Sequence, residues 1–399
     1  MTDIEDRQVH SASTTTGSPS HTTPLDRGRL LAAKPAYTTR HIDLDGAAGL
    51  ITGVAPEVGD LVLAAVSGIG QHPRIEGPDG RRATLFPGDE VVVAYGHRYA
   101  PDQFEGSAPT DLGPCELVAA GGIAARVDSA HGKMRPATTL EPVGLLATAD
   151  GSRLRLEPGP EPRLTTTPDR PLTIAVVGAS MNAGKTTTAA HLVRGMRRAG
   201  LRVGAAKATG TGAGGDVWLL GDAGAYPVYD FTWAGLPSTF RAGPDEVRRV
   251  FTTLHDRLTE DGCEVAVIEV ADGIYQQETA ELVTDPVFAE RVDAVVFAAY
   301  DALGAAAGVE WLGQHDLAPL ALSGVMSSSP LATREAEAAT GCDVWGLSYL
   351  EDPAVALELC SRFRTGRMAG AHPAPTPEPD RELALAMHST PDPEQGRPS

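Results

Sequence analysis

The segment that most limits what this chain can become is 172–188. An apolar run, 172–177, leads into Gly178-Ala179-Ser180-Met181-Asn182-Ala183-Gly184 and then Lys185-Thr186-Thr187-Thr188, where an amphipathic stretch starts and runs to about 199 before Gly200. A buried strand that turns through small residues into a helix leaves a row of unpaired backbone N–H groups at the helix start, and the helix dipole adds positive charge there. Such a turn favours anions, phosphates above all. Ala179 takes the leading position of the phosphate-loop pattern, where the strict form has Gly and Ala is an accepted variant; there Lys185 would meet the β- and γ-phosphates and Thr186 would offer its hydroxyl to Mg²⁺. The residues expected to contact the nucleotide are Ala179, Ser180, Asn182, Ala183, Gly184, Lys185, Thr186 and Thr187. The bland alternative is a glycine-rich turn with no ligand.

Lysine usage points to the same place. Only four residues are lysine, Lys34, Lys133, Lys185 and Lys207, so arginine serves most surface roles. Two of the four fall within one strand–helix unit of the loop, where a compact point charge is not interchangeable with a guanidinium. Lys207 ends a strand predicted at 202–207, at the sheet edge where ligands of open α/β sheets sit. The Gly/Thr-rich run behind it, 208–215, leads to Asp216, a candidate Mg²⁺ ligand, with Asp222 the second choice. A further strand at 265–269 runs four apolar residues into Glu269, the pattern of a carboxylate placed to hold Mg²⁺ or orient water; Asp272 is the second choice. The expected catalytic set is Lys185, Lys207 and Glu269, and the expected metal set Thr186, Asp216 and Glu269. Loops at 230–239, 300–304 and 323–330 follow strands and are weaker candidates for substrate or base contacts.

The rest of the chain falls into segments. Strands at 172–177, 202–207, 265–269, 294–299 and 319–323, separated by helical stretches, predict an α/β domain over 172–365, a parallel sheet covered by helices on both faces. Over 37–160 short β runs are set off by Gly59-Asp60, Gly88-Asp89 and a Pro78-Asp79-Gly80 turn, which predicts a small β-rich domain of barrel or sandwich type. Its 95–99 loop, with two tyrosines, could stack a base or simply lie on the surface. A Pro/Thr-rich linker, 161–171, separates the two. The ends, 1–36 and 366–399, are rich in Ser, Thr and Pro or in Pro, Ala and Glu and are expected to be disordered tails.

Charge narrows the partners. The formal net charge is −19. It comes mostly from the two expected domains, −6 over 37–171 and −11 over 172–365. Large polyanions and anionic membrane surfaces would be repelled at long range, so neither nucleic acid nor membrane is an expected partner. The four cysteines show no paired or metal-ligand spacing, no run is long and apolar enough to span a bilayer, and the first residues lack the apolar core of a secretory signal. A cytoplasmic location is expected, with a small-molecule substrate and a homodimer left open.

The Gly184-Lys185-Thr186-Thr187-Thr188 run, the second lysine followed by Ala208-Thr209-Gly210, and the strand-ending Glu269 together resemble the dethiobiotin synthetase and cobyrinic acid amide synthetase group. They are also similar to the nucleotide-binding adaptor of molybdopterin-guanine dinucleotide synthesis and to a P-loop family that includes D-glutamate N-acetyltransferases. The resemblance covers roughly 172–350. It implies triphosphate and Mg²⁺ binding by Lys185 and Thr186, phosphate and substrate contact by Lys207, and metal ligation by Glu269. Two departures, the absence of proline after the second lysine and the extra β-rich domain, leave the substrate open. The function expected is a Mg²⁺-dependent enzyme using ATP (or GTP) to activate or phosphorylate a carboxylate or amino-acid-like substrate, of ligase or kinase type. Acetyl-CoA-dependent N-acyl transfer and a nucleotide-switched adaptor are the alternatives.

Overall fold

The run that opens the phosphate loop is the strand Leu172–Gly178, with every residue buried, because it lies inside a sheet covered on both sides. In the computed structural model, which describes residues 21–163 and 170–369, six strands form that sheet. Their order is Val228–Asp230, Val203–Lys207, Val265–Glu269, Leu172–Gly178, Ala294–Ala298 and Ala321–Ser323. All five pairings are parallel. The fold is α/β. Alternation along the strands splits the core in two. Ala175 and Val177 face one side, with Val250, Phe251 and Leu254 of the helix Pro244–Glu260. Ile174 and Val176 face the other, with Leu192, Val193 and Met196 of the helix Lys185–Arg198. Parallel register brings the carboxyl ends of these strands to one edge, and at that edge Lys207 is paired with Glu269.

Residues 21–163 build a second body around a nine-stranded mixed sheet. Five of its strands, Thr138–Ala147, Leu61–Gly68, Glu90–Tyr95, Ile123–Ala130 and Cys115–Ala119, pair in succession, and the last pairs back to the first. Inside lie Val62, Val91, Val93, Leu117, Leu140 and Leu145. The Pro78-Asp79-Gly80 turn joins the short antiparallel strands Arg74–Glu76 and Arg82–Thr84.

Both expected tails need correction at their inner ends. Residues 21–36 are ordered: His21–Pro24 pairs with Gly49–Thr52, and the helix Arg27–Ala32 is capped by Asp26, whose carboxylate accepts from Arg29 N at 2.8 Å. Composition missed this because a few apolar side chains suffice, Leu30 and Ala33 packing on Leu61 and Val92. At the other end the helix Pro353–Ala369 continues past 365. The rest of both tail predictions, 1–20 and 370–399, and linker residues 164–169 lie outside the described residues. Among the described residues no helix is long and apolar enough to cross a membrane.

Candidate nucleotide site

Two glycines make the loop geometry. A Cβ on Gly178 would come 2.8 Å from Lys185 Cγ and 2.9 Å from Ala298 O, so only hydrogen lets the lysine stem fold over the strand end. Gly184 has φ +95°, and a Cβ there would meet Gly324 Cα at 3.0 Å. Lys185 then begins the helix, buried, with Nζ donating to Ser180 O at 2.8 Å and to Asp272 O. Burial lowers its pKa, and the Glu269 and Asp272 charges oppose that shift. Two carbonyls, one from the loop and one from Asp272 just past the end of a neighbouring strand, hold the ammonium.

Thr186 sits next to two carboxylates. Its Oγ1 is 3.1 Å from Asp216 Oδ1 and 3.0 Å from Glu269 Oε1. A hydroxyl has one proton to give, so it cannot satisfy both acceptors at once. Glu269 is buried, and its Oε2 has no hydrogen-bond partner. Burial, and then the nearby Asp216 charge, push the Glu269 carboxyl up to about 7. Lys207, also buried, pairs through Nζ with Asp216. Burial disfavours that ammonium, but Asp216 and Glu269 outweigh it and raise its pKa.

This oxygen set fits Mg²⁺. Among the described residues no three or more His, Cys, Asp or Glu stand close enough to enclose a metal by themselves. Two carboxylates and a hydroxyl, with coordination completed by phosphate oxygens and water, is how Mg²⁺ is commonly held. The unpartnered Glu269 Oε2 is the atom such an ion would satisfy.

The structure brings Lys185, Thr186, Lys207, Asp216 and Glu269 together, and other expected residues elsewhere. Ala179 N donates to Ala298 O at 2.9 Å, and Ala183 is buried, with its carbonyl accepting from Val325 N at 3.0 Å. Ser180 is exposed and bonded to Met181 O, and Thr187 is exposed on the first helical turn. Asn182 Nδ2 donates to Asp102 Oδ2 of the other body at 3.0 Å. Asp222 is exposed at the far end of the helix Gly215–Asp222, about 9 Å along the axis from Asp216. Asp230, expected to open a substrate loop, is instead a buried anchor between the two bodies: Tyr37 Oη donates to it at 2.6 Å and Arg40 at 2.9 Å. Ser323 Oγ donates to Trp345 O and Asp301 caps the helix Ala302–Gly313, so both are engaged in structure.

Sequence reasoning missed the contribution of the N-terminal body. The 95–99 loop turns inward. Tyr95 is buried, and Tyr99 packs on Phe240 with ring centroids 5.5 Å apart. Beside them Tyr99, Gly210, Thr211, Phe240, Asp272 and Gln276 line a tight crease along the joint of the two bodies, too narrow in this state to admit a water molecule. It adjoins both lysines, since a Cβ on Gly210 would lie 3.3 Å from Lys207 Nζ and Asp272 O accepts from Lys185.

No protein-family model matches the chain, and no curated protein matches it. Among solved structures it is similar to the 54 kDa signal recognition particle protein from Aeropyrum pernix K1 in complex with GDP, at 19% identity and TM-score 0.33, over 52% of each chain. It is also similar to the signal recognition particle receptor FtsY from Elizabethkingia anophelis, at 18% identity and TM-score 0.29, over 49% of this chain and 57% of that one. FtsY from Mycoplasma mycoides gives 14% identity and TM-score 0.33 over 50% and 70%. These are partial likenesses, each confined to about half of this chain.

Proposed function

We propose that this chain is a Mg²⁺-dependent nucleotide-binding enzyme that uses the terminal phosphate of ATP or GTP to activate or phosphorylate a small carboxylate or amino-acid-like substrate. The observation that carries the reading is the convergence of Lys185, Lys207, Thr186, Asp216 and Glu269 at one sheet edge. Lys185 would exchange its two carbonyl partners for phosphate oxygens, whose charge compensates that of the buried ammonium. Lys207, released from Asp216, would face the same phosphates from the strand beyond the Glu269 strand. Thr186, Asp216 and Glu269 would hold Mg²⁺, which when bound would supply positive charge against the phosphates. Catalysis in such a site is mainly positioning and electrostatic stabilisation.

The test is nucleotide release against a panel of amino acids and dicarboxylates. Substrate-stimulated formation of ADP or GDP, lost in Lys207→Ala, is expected. A panel in which no compound stimulates release removes the ligase or kinase reading. Binding of acetyl-CoA with no binding of ATP or GTP would replace it with acyl transfer.

A further inference from the structure

The helix that carries Asp216 is held from outside its own domain. Glu76 ends a strand of the N-terminal body and is 2% exposed. Its Oε2 accepts from Gly214 N at 3.2 Å and its Oε1 from Trp218 Nε1 at 2.8 Å. The two bonds bracket Asp216 in sequence, one to each oxygen of this buried carboxylate. The helix Gly215–Asp222 has no side-chain cap of its own, so the Glu76 charge stands at its positive end. Close packing fixes the arrangement. A Cβ on Gly214 would lie 2.4 Å from Glu76 Oε1 and 2.3 Å from Trp218 Nε1. The indole is set edge-on against Tyr37, with centroids 5.8 Å apart, and a Cβ on Gly80 of the hairpin turn would meet it at 2.8 Å.

From this geometry we infer that Glu76 is the positioning residue for Asp216, and that through it the N-terminal body sets how strongly the site takes its divalent cation. The inference rests on the nucleotide reading above. Asp216 must exchange Lys207 for the cation without losing its place beside Thr186, and a helix of two turns with no cap of its own is poorly suited to hold it there. Glu76 supplies that anchor. Glutamine at the same position keeps the shape, but one side of its amide is a donor that faces an N–H, so at least one of the two bonds is lost.

The experiment compares wild type, Glu76→Gln and Trp218→Phe, the last keeping an aromatic ring while removing the indole donor. Hydrogen exchange of backbone amides 215–222 is read without ligand, and ATP and GTP affinity by calorimetry with MgCl₂ and with EDTA. In Glu76→Gln the helix amides should exchange about tenfold faster, affinity in EDTA should match wild type, and the gain on adding Mg²⁺ should shrink about tenfold. Trp218→Phe should move the same way by less, and it carries the comparison if Glu76→Gln does not fold. Unchanged exchange, or a full Mg²⁺ gain in a folded variant, overturns the inference while wild-type binding leaves the nucleotide reading in place. Absence of nucleotide binding by the wild-type protein overturns both.

Discussion

Thr186 and Glu269 meet beneath the phosphate loop with their side-chain oxygens 3.0 Å apart, and the second oxygen of Glu269 is buried without a partner. Asp216 Oδ1 lies 3.1 Å from the same hydroxyl, and these oxygens are the ones that would hold the proposed Mg²⁺.

Thr186→Ala removes one of these oxygens and leaves the loop backbone intact. Nucleotide affinity in EDTA should be nearly unchanged, and the increase on adding Mg²⁺ should fall about tenfold, the scale of one lost polar contact. Calorimetry with and without the metal reads both numbers. Equal losses in the two conditions would mean that the hydroxyl serves the fold and not the metal.

The anchor between the bodies gives a pH-dependent prediction. Burial raises the Asp230 pKa, but the Arg40 charge and the bonds from Thr232 and Tyr37 outweigh it, so the carboxyl lies below its ordinary 3.8. A depressed carboxylate stabilises the fold above 3.8 and loses that contribution as pH falls through its folded value. Asp230→Asn should therefore be less stable than wild type in urea at pH 7, with the gap closing in acid below 3.8. Arg40→Ala, which strands a buried charge, should cost about 3 kcal/mol at neutral pH. A wild-type to Asp230→Asn gap that stays constant from pH 7 to pH 3 contradicts this account of the anchor.

Close backbone approach makes the joint between the bodies intolerant of even a methyl group. A Cβ on Gly121 would lie 2.0 Å from Gly212 O. Gly121→Ala must push the 210–215 run away from the N-terminal body, at about 1–3 kcal/mol. Denaturant midpoints should fall, and proteolysis should cut 210–215 faster than in wild type. Midpoints and cleavage rates equal to wild type would show that the contact carries no such constraint.

What was legible in the chain was what is local to it. The loop from Gly178 to Thr188 and the strand ends at Lys207 and Glu269 could be read because a period, a turn and a charge at a fixed offset lie within one strand–helix unit. Their meeting follows from parallel register, which aligns every strand's carboxyl end. Asp216 was readable only as a carboxylate behind a glycine run. Glu76, Asp102, Tyr37 and Arg40 gave no signal at all, because their partners lie 80 to more than 190 residues away and the surface they form exists only once both bodies are folded. Asn182 shows the same limit: its spacing marks a loop residue, and a carboxylate of the other body takes its side chain. The ordered stretch at 21–36 was hidden by composition, although Asp26 three residues before Arg29 was a capping signal in plain view.

On the reading proposed above, the loop ending in Lys185 binds a nucleotide with Mg²⁺. Calorimetric titration with ATP, GTP and acetyl-CoA, in MgCl₂ and in EDTA, on wild type and Lys185→Ala, addresses it most directly. Wild type should bind ATP or GTP more tightly with Mg²⁺, and Lys185→Ala should lose about 1.5–3 kcal/mol, or roughly 10- to 150-fold in affinity. Wild type that binds neither ATP nor GTP, or a Lys185→Ala variant that binds them as well as wild type, would contradict it.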